Sequence, residues 1–256
     1  MKNFSFIFDK NIKAQTLKKI FLKKYKNYPI SKTEVIVIGG GDGFMLKNIK
    51  KFIKFNKYFY GINCGTYGFL MNKYILTNLH KKINNSKKVI ISPLEVELLD
   101  NKNKKKKLIA INEISLFRQT KQTANLSLEI NNKLKLKKLV GDGILISTPA
   151  GSTAYNLSVN GPILSLDSGK LAITPISPFR PRRWKGIIAS DKSSIKIFNL
   201  NSKKRPISAV ADNLEVRNIK KVTVRKQKKI KINLLYNTKN TLTKRIMFEQ
   251  KIKKNK

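Results

Sequence analysis

The stretch Val35-Ile36-Val37-Ile38-Gly39-Gly40-Gly41-Asp42-Gly43-Phe44-Met45-Leu46 constrains this chain most. An apolar run of strand length empties into a glycine loop and then into a helix pattern. Glycines let backbone approach an anion, and the N–H groups at the start of the following helix add positive field. The loop is therefore a phosphate cradle by construction, and Asp42 is its odd residue. A carboxylate there repels a phosphate unless it has a task, such as taking a proton from an attacking hydroxyl or meeting a metal ion. The plainer alternative is a strand-to-helix turn in which Asp42 only caps the helix. Two other glycine loops fit poorly. A Walker A loop ends in Gly-Lys-Ser/Thr, whereas this one ends in Asp42-Gly43-Phe44. A dinucleotide fingerprint wants a third glycine where Phe44 stands and an acid about 20 residues on, where the chain has Tyr60-Gly61-Ile62-Asn63.

The surrounding pattern sets the fold class. Phe4 to Phe8 reads as a strand, and Ile12, Leu17, Ile20, Phe21 and Leu22 fall at helical spacing. After strand 35–38, Met45, Leu46, Ile49, Phe52 and Ile53 share a helical face, and a further strand runs near Tyr58 to Ile62. Alternating β and α units predict a mainly parallel sheet covered by helices, with ligands at the carboxyl ends of its strands. From about Val89 the period changes to two. Leu94, Val96 and Leu98 alternate with Glu95 and Glu97, and strands are expected near 108–116, 134–140, 143–147, 186–189, 195–198, 207–211, 222–224 and 230–234. That density predicts an antiparallel, sandwich-like β domain. Asn101 to Lys107 reads as a solvated hairpin loop, and 241–252 as a last helix.

Composition excludes several functions. A 41% hydrophobic chain of 256 residues can bury a real core. The longest apolar runs are far shorter than the ~20 residues that span a bilayer, and Phe4 to Phe8 is shorter than a signal-peptide core, so a cytoplasmic location is expected without membrane partners. The one cysteine, Cys64, excludes an internal disulfide and a cysteine-built zinc site, and the one histidine, His80, sits in a lysine-flanked polar stretch, which argues against a triad built on histidine. The net charge of +41 invites a polyanion partner. Only eight of the 55 basic residues are arginine, however, and the lysines are spread along the whole chain. We read the charge as compositional and expect no specific nucleic-acid partner. Among the 14 acids four stand apart: Asp42 and Asp142, each within Gly-Asp-Gly, Glu113 after Asn112, and Asp212 before Asn213.

Four blocks in order carry a family resemblance: Gly40-Gly41-Asp42-Gly43; Asn63-Cys64-Gly65-Thr66-Tyr67-Gly68-Phe69-Leu70; Asn112-Glu113; and Gly141-Asp142-Gly143 running through Ser147 to Asn156 and on to Gly161-Pro162-Ile163. The chain resembles the bacterial NAD kinases, which use ATP or polyphosphate. The resemblance implies transfer of the γ-phosphate of ATP to the 2′-hydroxyl of the adenosine ribose of NAD, giving NADP, with a divalent ion, Mg²⁺, arriving with ATP. It implies Asp42 as the catalytic group and, as residues that hold nucleotide, Asp42, Gly43, Asn112, Glu113, Asp142, Ala150, Thr153, Ala154, Tyr155, Asn156, Leu157 and Ser158. Asn213 falls near a late ligand position. No residue is assigned as a protein metal ligand. The implied organisation is an α/β nucleotide-binding domain over 1–90, to which 236–256 return, and a β-rich NAD-binding domain over 91–235. A homodimer or homotetramer is implied in the same way. Departures from the family pattern are Phe44, where Thr or Ser is frequent, Tyr67 for Leu, and Asn160 for Gly. Asn160 is expected to be tolerated, since Asn adopts left-handed backbone angles. Arg180-Pro181-Arg182-Arg183-Trp184 reads either as a surface loop with a cation–π contact or as a dimer or anion contact. The alternatives are a diacylglycerol-type lipid kinase, which shares the glycine-aspartate loop, and a noncatalytic polyanion-binding protein.

Overall fold

The computed structural model describes residues 3–66 and 68–237. They divide into two compact units: one takes in residues up to Ile91 and resumes at Ile230, and the other runs from Ser92 to Lys229. The β-rich unit thus ends at Lys229 and not at 235. The expected helix 241–252 and the departure at Tyr67 lie outside the described residues.

The first unit opens with β1 (Phe4–Phe8), α1 (Ile12–Lys24), β2 (Val35–Gly40), α2 (Asp42–Phe52), β3 (Tyr58–Asn63), α3 (Leu79–Asn84) and β4 (Ser86–Ile91). Its sheet runs β1, β2, β3, then the late strand Ile232–Asn237, then β4. The first four are parallel, and β4 is antiparallel to the late strand. The spacing of α1 differs from the sequence expectation. Ala14, Leu17 and Phe21 form its buried face, while Ile12 is 86% exposed and Leu22 41%. The face is therefore i, i+3, i+7, and Ile12 is a surface residue of the first turn. Asn11 caps this helix, its Oδ1 accepting from the Ala14 N–H. Every residue of β2 is buried, as expected of a central parallel strand, and its carboxyl end delivers the glycine loop to the edge where ligands bind in such sheets.

The second unit consists of β5 (Leu94–Asp100), β6 (Lys105–Ala110), β7 (Glu113–Arg118), β8 (Ala124–Ile130), β9 (Lys133–Gly141), β10 (Gly143–Ser147), β11 (Lys170–Ile176), β12 (Ile187–Ser190), β13 (Ile195–Asn199), β14 (Ile207–Ala211), β15 (Leu214–Val216) and β16 (Ile219–Lys226). The late strand of the first unit is β17. One sheet is ordered β12-β11-β10-β7-β14-β15 and the other β6-β5-β16-β13-β8-β9. Alternate residues of both, such as Ile114, Leu116, Ile144 and Ile146 from one and Leu94, Val96, Leu126 and Val222 from the other, fill a common core. Two expectations change. The single strand at 108–116 is two strands, β6 and β7, broken at Ile111-Asn112, and the Asn101–Lys107 run is a short turn followed by strand from Lys105 onward. Asn160 does take a left-handed φ of 61°. In the arginine-rich stretch, Arg180 stacks 4.4 Å from the centroid of the Phe179 ring, and Trp184 packs against the sandwich core.

Candidate active site

In the first unit the chain leaves β2 and enters α2 within one residue. Gly41 occupies the cap position of α2 in extended geometry and offers no side chain to the helix. The capping alternative for Asp42 gives way to a different geometry. Its carboxylate reaches to the loop after β3, Oδ2 accepting from the Phe69 N–H at 2.6 Å and Oδ1 from the Leu70 N–H at 3.0 Å. The two amide donors fix the direction of the carboxylate. On either side, the Cβ positions of Gly41 and Gly43 face open space, with nothing within 4 Å. Backbone there is accessible to a ligand. The Phe44 ring instead lies against Gly40, where an added Cβ would come within 2.7 Å of it. Phe44 thus covers the end of β2. Cys64 beside the loop is buried, and burial, with the charge of Asp9 adding and that of Lys13 opposing, pushes its thiol up to about 11. It is not a nucleophile at neutral pH.

In the second unit the break between β6 and β7 is made from a distance. Asp212, in the β14–β15 turn at φ 54°, accepts from the N–H groups of Ile111 at 2.8 Å and Asn112 at 2.7 Å, while its own N–H donates to the Glu113 carbonyl at 3.1 Å. The bend is also held from the other side. The Thr148 N–H donates to the Asn112 carbonyl at 2.9 Å, the Thr148 hydroxyl donates to the Ile111 carbonyl at 2.8 Å, and the Gly151 N–H donates to that hydroxyl at 3.0 Å. Gly151 packs directly on this carbonyl; a Cβ there would lie 2.2 Å from the Asn112 oxygen. Asn112 and the 148–153 turn are therefore one assembly. Within it Asn112 Oδ1 and Thr153 Oγ1 are buried with no hydrogen-bond partner among the described residues. Buried polar atoms without partners cost ~1–3 kcal/mol each, so two of them in one assembly point to a polar ligand.

The remaining candidates sort by what holds them. Asp142 sits at the corner between β9 and β10 and is ion-paired through Oδ1 with Arg118 Nε, while its carbonyl accepts from the Arg118 N–H at 2.9 Å. Tyr155 is half-buried with its ring centroid 5.7 Å from that of Phe117, and its phenol is raised above its ordinary value by burial and by the charges of Asp142 and Glu113. Asn156 is fully buried. Its amide donates to the Ser152 and Pro162 carbonyls and accepts from the Thr174 hydroxyl, so it shapes the turn from within. Ala150 and Glu113 are buried, Ala154 and Leu157 half-buried, and Ser158, Gly43 and Asn213 reach the surface to differing degrees, Asn213 directly after Asp212. Sequence reasoning missed Arg118 and Phe117, which carried no signal beyond their place on a strand, and it missed the bend-holding part of Asp212, visible only as an isolated acid.

Comparison with known proteins identifies the family. The family described as ATP-NAD kinase C-terminal domain matches residues 111–242. The chain is 44% identical to the NAD kinase of Zymomonas mobilis over 93% of each chain, and 45% identical to that of Rickettsia rickettsii over 90% of each. Among solved structures, yeast NADH kinase complexed with NADH aligns at a TM-score of 0.71 and 26% identity, covering 84% of this chain and 66% of that one. An NAD kinase from Archaeoglobus fulgidus in complex with ATP shares the fold at a TM-score of 0.73 and 19% identity, covering 93% and 94%. The lipid-kinase and polyanion-binding alternatives find no support in these relatives. The chain belongs to the NAD kinase family.

Proposed function

We propose that this protein transfers the γ-phosphate of ATP to the 2′-hydroxyl of the adenosine ribose of NAD, giving NADP. The observation that carries the reading is the Asp42 carboxylate, held by two main-chain N–H groups between glycines whose surface is open. A ribose hydroxyl is a poor nucleophile at neutral pH, and a fixed carboxylate within reach of its proton contributes about 10²- to 10⁴-fold. Oδ2 and Oδ1 of Asp42 each accept one main-chain N–H, which fixes the direction in which the carboxylate faces a substrate hydroxyl. Positioning supplies much of the remainder. In the second unit, Asn112 Oδ1 and Thr153 Oγ1 are the polar atoms suited to NAD, Glu113 follows Asn112, Asp142 sits at the other end of the β7–β10 pair, and the Tyr155 ring is suited to stack on a base. Gly43 and the α2 start suit phosphate.

Among the described residues no group of three or more His, Cys, Asp or Glu side chains could cage a metal ion. A Mg²⁺ ion carried by ATP fits this donor set, because Mg²⁺ is typically held by substrate phosphates and water with one or two carboxylates, and it neutralises charge on the transferred group. No described helix is long and apolar enough to cross a membrane. A homodimer or homotetramer in the cytoplasm accompanies the proposal on family likeness, and light scattering on the purified protein tests the assembly. The decisive assay is NADP formation from NAD, ATP and Mg²⁺, paired with Asp42→Asn. Turnover by wild type alone supports both the reaction and the role of Asp42; no NADP from folded wild type overturns the reading.

A further inference from the structure

We infer that Asn72 is a positioning residue for Asp42, a part it plays through the loop whose amides hold the carboxylate; the inference rests on Asp42 acting as proposed above. β3 and β17 pair only at Tyr58–Asn233 and Phe59–Leu234. Beyond that point the two strands part, and Asn72, 1% exposed, occupies the gap. Its main chain continues the ladder toward β3, with the Asn72 N–H donating to the Gly61 carbonyl and the Asn63 N–H donating to the Asn72 carbonyl, both at 2.8 Å. Its side-chain amide continues the ladder toward β17. Nδ2 donates to the Leu235 carbonyl at 2.9 Å, and Oδ1 accepts from the Asn237 N–H at 2.8 Å. One residue thus does the work of a missing strand segment, with its side chain imitating a peptide group.

The position of that peg matters because Phe69 and Leu70, the donors to Asp42, lie three and two residues upstream. Between them and the peg only Met71 intervenes, itself fully buried. The amide positions, and with them the direction of the Asp42 lone pairs, are therefore set from β17. No other side chain of the right length carries both a donor and an acceptor at this point: Asp lacks the donor, and Ser is too short to bridge to Leu235 and Asn237 together. A misplacement of about 1 Å at a reacting group costs up to about 10²-fold in rate.

The test compares Asn72→Ser and Asn72→Asp with Thr33→Val, which removes a buried hydroxyl bonded to the Asn3 and Val35 carbonyls at the opposite end of the sheet. All are assayed well below their melting temperatures. The expected result is a kcat lower by about 10- to 10²-fold in the Asn72 variants, an NAD KM within about 3-fold of wild type, and loss of hydrogen-exchange protection at the Phe69 and Leu70 amides; Thr33→Val keeps kcat and that protection. A kcat in the Asn72 variants no lower than in Thr33→Val overturns the inference. Should neither Asn72 variant fold, exchange in the wild-type protein decides: the Phe69, Leu70 and Asn237 amides must open with one common free energy, and separate values overturn the linkage. Turnover by Asp42→Asn would overturn the reading of Asp42 and this inference with it, whereas an inactive Asp42→Asn beside fully active Asn72 variants overturns this inference alone.

Discussion

Gly41-Asp42-Gly43 ends a parallel strand and begins a helix, while Gly141-Asp142-Gly143 carries one antiparallel strand into the next. The first pair of glycines leaves open space at both Cβ positions. The second pair is hemmed in by backbone: a Cβ at Gly143 would lie 1.8 Å from the Leu116 carbonyl oxygen, and one at Gly141 2.9 Å from that of Ser177. The aspartates differ in the same sense. Asp42 accepts main-chain N–H groups from the loop after β3, whereas Asp142 is ion-paired with the Arg118 guanidinium. Identical tripeptides thus serve access in one unit and close packing in the other. What separates them is the neighbouring strand, which Gly143 has and Gly43 lacks.

Substitutions can break this contrast, and they rank by size. Asp42→Asn is expected to cut kcat by about 10²- to 10⁴-fold while the protein folds and binds NAD; steady-state kinetics with calorimetric NAD titration checks it. Gly143→Ala forces β10 away from β7 and is expected to cost about 1–3 kcal/mol or more, read as a fall in urea midpoint. Asp142→Asn gives up an ion pair whose side chains are both about one-third exposed, so its stability cost is expected to be about 1 kcal/mol or less, with the NAD KM raised and kcat retained. Gly43→Ala sharpens the contrast most, because it reverses sign. A methyl in open space on the first turn of α2 is expected to stabilise the fold by about 0.5–1 kcal/mol while raising the ATP KM, so a melting curve and a donor titration should move in opposite directions. A Gly43→Ala protein less stable than wild type would mean that the two tripeptides are packed alike.

The strand-loop-helix at Val35–Leu46 was legible in the sequence because its period, its glycines and its carboxylate all lie within twelve consecutive residues. The break at Ile111-Asn112 was not. The apolar run Leu108 to Ile111 reads as the middle of one strand, and the group that holds the bend, Asp212, is 100 residues away. α1 was legible as a helix but not in its orientation, since Ile12 and Leu22 mimic a buried face that Ala14, Leu17 and Phe21 provide. The place of 230–237 was misread for a related reason. Ile232 to Asn237 has the composition of a β-sandwich strand, and only its partners, β3 and β4, put it in the first unit. Asn72 gave no signal at all, because an asparagine inside a loop reads as a turn residue.

The interior place of β17 in the first sheet has a consequence for biosynthesis. A ribosome releases β1 to β4 early, then the whole β-rich unit, and only then the strand that belongs between β3 and β4. At ~5–20 residues per second the nascent sheet waits several seconds or longer with two unfinished edges, during which the later unit can fold to completion on its own contacts. Leu235 and Asn237, the partners of Asn72, are among the last of the described residues to emerge. A chain terminated before β17 therefore keeps every glycine and acid of both tripeptides yet lacks the strand to which the Asn72 amide is bonded.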